Sequence, residues 1–376
     1  MIDNTQKIRK SFPILKDKIQ LSSCSQSALH IDVKKAIDTY LQSWQEHGMD
    51  WGGWMQACEN ARTEFASMIN ADVEEIALVS SVSHAVSSVA TSLAHPRKSK
   101  VQVTDFDFPT VGHVWLSHQD RFDIEFIEQP KDGFITPDDY KKQVDHETLV
   151  VNTSHVSFYD GYKQDLAEVA DVVHQKGAYF FVDAYQSLGQ CEIDVKSMNI
   201  DMLSAGLQKY ALGIPGIAFL YIKKEIASEL TPKITGWFGQ DNPFAFDIKN
   251  VEYASGARRF DSGTFPMING FAAEAALKIL NSYKIREIEQ HLQYLSEVAI
   301  KECDQRGLTL KSPKDVRQKG SNTAIYLPNA SEIEMKMKDK GVIVSARNDV
   351  IRIAPHLYNT EDDVMKAIQE LDQCLK

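Results

Sequence analysis

The chain has 376 residues, of which 43% are apolar and 25% charged, with 19 glycines and 12 prolines. This composition excludes a fibrous or low-complexity protein, and the length suffices for about two to three domains. A net charge of −11, from 41 basic and 52 acidic residues, argues against nucleic acid or an anionic membrane as a partner.

The five cysteines are odd in number and scattered, without the spacing of a zinc site or a disulfide framework. The first residues are polar and do not form a leader, and no apolar run approaches the roughly 18 residues of a membrane span. We therefore expect reduced thiols, no metal site and a cytoplasmic location. The cysteines are Cys24, Cys58, Cys191, Cys303 and Cys374.

The first strong helical pattern covers residues 33–44, where apolar side chains recur every three or four positions. After it, short β-branched or aromatic runs alternate with helical stretches such as 165–175. This alternation is typical of a mostly parallel sheet covered by helices on both faces, with sites at the carboxyl ends of its strands. The predicted strands are 75–80, 101–104, 124–127, 149–152, 179–182, 202–204 and 217–222.

From about Gly270 the pattern changes to long helices and short strands, which predicts a smaller α+β domain. No linker rich in proline or glycine precedes it, so we expect the two domains to share a packed interface. We predict a large domain of residues 24–265 and a small domain of residues 1–23 and 266–376. The predicted elements are helices 271–282 and 285–306, strands 323–326, 342–344 and 351–353, and a helix from Thr360.

An acid and an amine follow two predicted strands of the segment 179–222. Asp183 comes directly after the run 179–182, and Lys209 follows 202–204 in a turn rich in glycine and alanine. Both groups therefore leave the sheet on the same side. On spacing alone, a salt bridge between surface loops explains such a pair more often than a catalytic site does.

The same segment resembles the class V aminotransferase family, fold-type I enzymes that depend on pyridoxal phosphate and include cysteine desulfurases and kynureninases. The shared motifs are Val182-Asp183-Ala184-Tyr185-Gln186, Ile193-Asp194-Val195, Gln208-Lys209-Tyr210 and Gly213-Ile214-Pro215-Gly216. The resemblance implies an α/β large domain, whose mainly parallel seven-stranded sheet is sandwiched by helices, and a smaller α+β C-terminal domain.

The resemblance also assigns roles to the residues of these motifs. Lys209 would form a Schiff base with the cofactor aldehyde, and Asp183 would keep the pyridine nitrogen protonated so that the ring accepts electrons. Gln186 would hydrogen-bond the 3-oxygen of the cofactor, and Gln208 would contact the cofactor where desulfurases often have histidine.

Two further segments would complete the cofactor site. In the segment 77–84 a predicted strand is followed directly by a predicted helix. Val82 and Ser83, at the start of this helix, would bind the cofactor phosphate through their backbone amides and the Ser83 hydroxyl. A plain helix cap at Ser83 is the alternative. Phe108, which precedes a proline as in kynureninase-like members, would stack on the pyridine ring; an ordinary core aromatic is its alternative.

The segment 153–161 resembles a family turn that commonly has asparagine where this chain has Phe158, which suggests a more apolar substrate. We expect a structural role for His155 in this turn.

The segments 236–239 and 258–264 resemble the parts by which a second subunit completes the site, so Trp237 and Thr264 would reach a partner's cofactor in a homodimer. A simple charge pair is the alternative for Arg258.

Arg352 lies in a segment, 351–359, that resembles the family's carboxylate-binding motif. Its planar guanidinium would bind the substrate α-carboxylate, which limits the small substrate to amino or keto acids. No cysteine lies between Cys303 and Arg352, so the nucleophile of a standard desulfurase is missing. We regard Cys24, in an early loop that could approach the site, as a buried small residue.

We therefore predict a PLP-dependent enzyme that acts on an α-amino acid, in first place an aminotransferase. The alternative is a C–S or C–C lyase, similar to a desulfurase or a kynureninase but without a loop cysteine. A scaffold without chemistry does not require Asp183, Gln186, Lys209 and Arg352 together. A nucleotide-binding dehydrogenase is disfavoured because no G-x-G-x-x-G follows an early strand.

Overall fold

The computed structural model describes residues 5–131 and 133–376. Its strands are β1 Ile19–Gln20, β2 Ile76–Val79, β3 Lys100–Thr104, β4 Asp123–Ile127, β5 Thr148–Ser154, β6 Tyr179–Asp183, β7 Met202–Gly206, β8 Ala218–Ile222, β9 Thr323–Tyr326, β10 Val342–Ile343, β11 Ser345–Arg347 and β12 Val350–Ile353. Its helices are α1 Thr5–Arg9, α2 Ile31–His47, α3 Trp51–Met68, α4 Val82–Ser92, α5 Pro109–Leu116, α6 Pro137–Gln143, α7 Leu166–Gln175, α8 Lys224–Glu229, α9 Met267–Asn281, α10 Ile285–Gln305, α11 Ala330–Asp339 and α12 Glu361–Leu375.

Seven strands form the central sheet in the order β2-β8-β7-β6-β5-β3-β4. The five strands from β7 to β4 run parallel to one another, and β8 runs antiparallel to both of its neighbours. All seven strands predicted from the apolar runs are confirmed, each within two residues at either end. The mainly parallel α/β architecture is confirmed with them.

The two faces of the sheet are packed against two hydrophobic clusters. In β8, Phe219 and Tyr221 belong to a cluster with residues of α3, α7 and α9, whereas Leu220 and Ile222 belong to one with residues of α4 and α5. Because successive side chains of a strand point to opposite faces, a strand buried on both sides is apolar at every position. This explains the continuous apolar runs in the sequence.

A second layer of strands is built from the C-terminal part of the chain. Strands β11, β12 and β9 form an antiparallel sheet, and β1 pairs in parallel with β10 through Ile19 opposite Val342. Strand β1, near the N-terminus, therefore lies beside the C-terminal part of the chain. Sequence reasoning did not identify β1 or β11, which have only two and three residues.

Helix α9 connects the two parts of the chain. It packs along α2 and α3, where Gly270 leaves room for Cys58: a Cβ at Gly270 would lie 2.4 Å from the Cys58 sulfur. The sequence-based division places this helix in the small domain, and that division remains a prediction. Among the described residues, no helix is long and apolar enough to cross a membrane.

Candidate active site

A cavity of about 250 Å³ lies at the carboxyl ends of β3, β5, β6 and β7 and at the start of α4. This is the edge where parallel α/β sheets bind ligands. Its wall contains most of the predicted cofactor residues, and the sheet topology brings them together from five separate segments. The lining residues are Ser81, Val82, Ser83, Phe108, Thr110, Ser154, Val156, Phe158, Asp183, Tyr185, Gln186, Gln208 and Lys209.

The amine of Lys209 is enclosed by aromatic rings. Its Nζ lies 4.3 Å from the centre of the Tyr185 ring and 5.5 Å from that of Phe108. Burial lowers the pKa of Lys209 to about 8, the Asp183 carboxylate opposes this, and the charges of Arg352 and Arg347 lower the pKa further. A substantial fraction of the amine is therefore neutral, and nucleophilic, near neutral pH.

Asp183 is the last residue of β6 and is only 5% exposed. Its Oδ1 accepts a hydrogen bond of 2.8 Å from the backbone N–H of Tyr185. Burial raises the pKa of Asp183, while this hydrogen bond and the charge of Lys209 lower it. The apolar run of β6 carries the carboxylate into the interior, where it can face a protonated ring nitrogen.

The N-terminus of α4 forms one side of the cavity. Ser81 is its N-cap, because its hydroxyl accepts from the N–H of His84 at 3.1 Å. The alternative of Ser83 as the cap is therefore wrong. The Ser83 hydroxyl instead lies 3.3 Å from that of Thr110, and together with the free N–H groups of the first turn it can bind an anionic group.

Phe108 reaches the cavity because Asp107 fastens the loop in front of it. The two carboxylate oxygens of Asp107 accept from the backbone N–H of Thr104 at 3.1 Å and of Ser154 at 2.6 Å. Burial raises the pKa of Asp107 to about 7. The side chain joins the ends of β3 and β5, a role that the sequence pattern did not show. Phe108 is 41% exposed, which excludes the alternative of an ordinary core aromatic.

Gln186 and Gln208 also line the cavity, from the turns after β6 and β7. The Gln186 amide nitrogen donates to the backbone oxygen of Cys24 at 3.0 Å. This bond brings the early loop to the site, so Cys24, which is 1% exposed, lies beside it. Sequence reasoning allowed this loop to approach the site and regarded Cys24 itself as a buried small residue; the structure shows a buried Cys24 next to Gln186.

Arg352 is fully buried, at 1% exposure, and is held by three segments of the chain. Nη1 donates to the backbone oxygen of Phe158 at 2.6 Å, and Nη2 donates to the hydroxyls of Ser345 at 2.6 Å and Ser25 at 2.9 Å. All of these acceptors are neutral, and no carboxylate of the described residues pairs with it. The guanidinium is therefore a buried cation that lacks a counter-ion.

Trp237 and Thr264 do not lie in the cavity of their own chain. Trp237 borders a separate hollow of about 640 Å³ and packs against Trp51 and Phe246, with ring centroids 6.3 Å away in each case. Thr264 is exposed. Arg258 forms a charge pair with Glu59, at 2.5 Å, which is the simpler of its two interpretations.

His155 and Cys303 are buried away from the cavity wall. Burial lowers the pKa of His155 to about 3, so the imidazole is neutral, as a structural role requires. Cys303 lies in α10, and burial raises its pKa to about 12. Neither residue is a candidate nucleophile or proton carrier.

Known proteins resemble this chain along nearly its whole length. The family model "Aminotransferase class-V" matches residues 27–366. A Bacillus subtilis (strain 168) protein named "Uncharacterized aminotransferase YcbU" is 42% identical over 97% of both chains. A "Probable cysteine desulfurase" of Methanothermobacter thermautotrophicus is 26% identical over 78% of this chain and 74% of its own. The apo structure of a cysteine desulfurase from Thermococcus onnurineus NA1 superimposes with a TM-score of 0.89 at 21% identity, covering 98% and 97% of the two chains.

Proposed function

This chain belongs to the aminotransferase class-V family, and we propose that it transfers the amino group of an α-amino acid to an α-keto acid. The resemblance inferred from the motifs is confirmed by the family match, and the chain is an enzyme that uses pyridoxal phosphate. The proposal concerns the reaction and the residues that perform it. It depends above all on one observation, the enclosed Lys209 amine close to the carboxylate of Asp183.

The cavity wall fits this cofactor. The free N–H groups of α4 and the Ser83 hydroxyl suit a phosphate, while the exposed ring of Phe108 suits a pyridine face. Asp183 suits the ring nitrogen because a carboxylate buried at this depth stabilises a proton on a facing base. Gln186 would contact the 3-oxygen of the ring, and Gln208 would contact the phosphate.

Pyridoxal phosphate supplies an aldehyde for covalent attachment and a ring that withdraws electrons from the substrate α-carbon. The protein supplies the base. Lys209 Nζ, with a pKa of about 8, accepts the α-proton and returns it to the neighbouring carbon, which needs an amine poised near the working pH. The rings of Tyr185 and Phe108 shield this nitrogen from water.

Arg352 binds the α-carboxylate of the substrate in this proposal. A buried guanidinium surrounded by neutral acceptors retains a large uncompensated charge, and a carboxylate neutralises it with short, charge-assisted bonds. One N–H of Nη1 has no partner among the described residues, so the carboxylate accepts a hydrogen bond from it and takes the place of a serine hydroxyl as acceptor at Nη2. The Ser25 and Ser345 hydroxyls, 2.8 Å apart, can turn to donate to the same carboxylate.

The proposed assembly is a cytoplasmic homodimer whose active sites are shared. Trp237 and Thr264 lie outside the cavity of their own chain, so they serve a site only if they reach that of a second copy. Four apolar side chains beside Trp237 are more than half exposed, as at an interface between subunits. They are Phe244, Phe246, Ile248 and Val251. The free, mostly buried cysteines support a reducing compartment.

A lyase is the second candidate, and the position of Cys24 favours it. The Cys24 thiol lies close enough to influence the pKa of Lys209 and of Arg347. A thiol beside the catalytic amine can protonate a group that departs from the substrate β-carbon. The same base would then serve elimination instead of transamination.

Single turnovers without an amino acceptor separate the two reactions. The purified holoenzyme is mixed with one amino acid at a time, and the cofactor absorption is followed while products are identified. A transaminase converts the cofactor to its amine form and releases one keto acid per site. Return of the aldehyde form with accumulation of ammonia, sulfide or alanine would identify a lyase and overturn the proposal.

A further inference from the structure

Arg347 is a second arginine on the same face of the hairpin as Arg352. In the antiparallel pair of β11 and β12, Ser345 lies opposite Arg352 and Arg347 lies opposite Val350. Side chains two residues apart on a strand share a face with those directly opposite them. Arg347 and Arg352 are thus diagonal neighbours, with a typical backbone separation of about 7–8 Å.

The guanidinium of Arg347 has no partner in the described part of the chain. Its Nε is buried without a hydrogen bond, although the residue as a whole is only half-buried. Among the described carboxylates, Glu334 is the one whose charge affects the pKa of Arg347. Glu334 does not pair with the guanidinium but accepts a hydrogen bond from the backbone N–H of Ala346 at 3.2 Å. A donor that is desolvated but unpaired is costly, and a ligand that pairs with it recovers that free energy.

The site carries more positive than negative charge. The charges of Arg347 and Arg352 act on Lys209, whereas Asp183 is the one carboxylate among the described residues that acts on it. In the proposed function the α-carboxylate neutralises Arg352 and the cofactor phosphate lies across the cavity at α4. Arg347 is then left without an anion. Neighbouring like charges on one face of a hairpin destabilise it, and a doubly charged ligand relieves this.

We propose that Arg347 binds a second carboxylate, so that a dicarboxylic amino or keto acid is one of the two substrates of the reaction. The inference rests on the proposed function, because it takes Arg352 as the site of the α-carboxylate. The methylene groups between the two carboxylates would pass along the rings of Phe108 and Phe158, which form an apolar wall. Two cations, Arg347 and Arg352, lie near one reacting amine, that of Lys209, and this arrangement favours a substrate with two carboxylates.

Binding of unreactive acids to the holoenzyme tests the inference without turnover. Calorimetric titration compares glutarate with pentanoate, which has the same number of carbons but a single carboxylate. We expect glutarate to bind at least about tenfold more tightly, as one additional charge-assisted pair implies. Arg347→Gln should abolish this preference and Arg347→Lys should retain part of it, while Arg317→Gln, at an exposed ion pair with Asp315, should leave it unchanged.

The outcomes distinguish this inference from the proposed function. If glutarate binds no better than pentanoate while amino acids still convert the cofactor to its amine form, Arg347 is not a carboxylate site and transamination stands. A preference for glutarate that persists in folded Arg347→Gln also overturns the inference. If no amino acid converts the cofactor, the proposed reaction is wrong, whatever the diacids do.

Discussion

The rings of Phe108 and Phe158 meet edge to face in the cavity wall, with centroids 5.2 Å apart and planes at 88°. Phe108 follows β3 and Phe158 follows β5, so the contact joins the ends of two adjacent strands. Such a pair contributes about 0.5–1.5 kcal/mol beyond the burial of its surface. Phe158 stands where asparagine is common in the family, so an apolar ring replaces an amide at this position.

Phe158→Asn should change substrate preference more than it changes folding. We expect kcat/KM for apolar amino acids to fall about tenfold relative to polar ones, because the substrate loses about 1.4 kcal/mol of apolar contact. A panel of amino acids assayed with one keto acid measures this ratio. Phe134→Asn is the matched control, since the Phe134 ring stacks on Tyr162 outside the cavity. An unchanged ratio in Phe158→Asn would remove this ring from the substrate site.

Covalent attachment of pyridoxal phosphate to the apoenzyme should depend on the protonation of Lys209. Only the neutral amine attacks an aldehyde, and burial lowers the pKa of Lys209 to about 8. The observed rate constant should therefore rise with pH around a midpoint near 8, well below that of an ordinary lysine. Stopped-flow absorbance at a series of pH values measures it.

Peptide mapping after borohydride reduction then locates the attachment. The adduct should lie on Lys209 and not on Lys319, a fully buried lysine whose pKa burial lowers to about 7. Lys209→Ala should yield no adduct. An adduct that persists in this variant, or a rate that rises only above pH 10, would contradict the assignment.

Asp183→Asn should alter both catalysis and the pH dependence of attachment. The carboxylate raises the pKa of Lys209, so its removal should shift the midpoint of attachment below pH 8. We also expect kcat to fall at least about 100-fold, because a preorganised charge beside the cofactor ring is lost. Asp107→Asn is the control: it should lower the urea midpoint of unfolding, since Asp107 fastens two strand ends, without moving the attachment midpoint.

The central sheet could be predicted because its strands are buried on both faces. The continuous apolar runs of 179–182 and 217–222 carry a signal that does not depend on distant contacts. Strand β11 carries no such signal: Ser345-Ala346-Arg347 is short and polar, and its pairing with β12 becomes visible only in three dimensions.

One part of the candidate site could likewise be predicted from the sequence, and another part could not. Asp183 ends β6 and Lys209 follows the neighbouring parallel strand β7, so sequence and topology suffice to bring them together. The contact of Arg352 with Ser25 spans 327 positions of the chain, and the position of Tyr185 under Lys209 requires Gly206 to lack a Cβ, which would lie 2.4 Å from the ring. Contacts of this kind arise from tertiary packing, which short motifs do not encode.

Two buried histidines should make the protein less stable in acid. Burial lowers the pKa of His155 to about 3 and of His356 to about 4, from an ordinary value of 6.5. Because the unfolded chain binds their protons first, their contribution is complete above pH 6.5 and is lost as the pH falls toward 4. The slope is about 1.4 kcal/mol per pH unit for each histidine.

Urea unfolding between pH 5 and 8 measures this slope. Nδ1 of His356 accepts a hydrogen bond from the N–H of Leu357, and Nε2 donates to the backbone oxygen of Tyr210 at 2.8 Å. These two bonds hold the imidazole in one neutral tautomer. His356→Gln should reduce the slope by about 1.4 kcal/mol per pH unit, whereas replacing the exposed His113 with Gln should leave it unchanged. An equal slope in wild type and His356→Gln would contradict the assignment.

A shared active site predicts that two inactive variants restore each other. In the proposed dimer, Lys209 of one subunit works with Thr264 of the other, so Lys209→Ala and Thr264→Arg should each form inactive homodimers with a mass of twice 42.4 kDa. A heterodimer, purified through two different tags, combines an intact Lys209 with an intact Thr264 at one of its two sites. It should therefore show up to half of the wild-type kcat per dimer. If Thr264 served its own chain, both sites of the heterodimer would be damaged and no activity would return. Sedimentation at the assay concentration separates that outcome from a failure to dimerise.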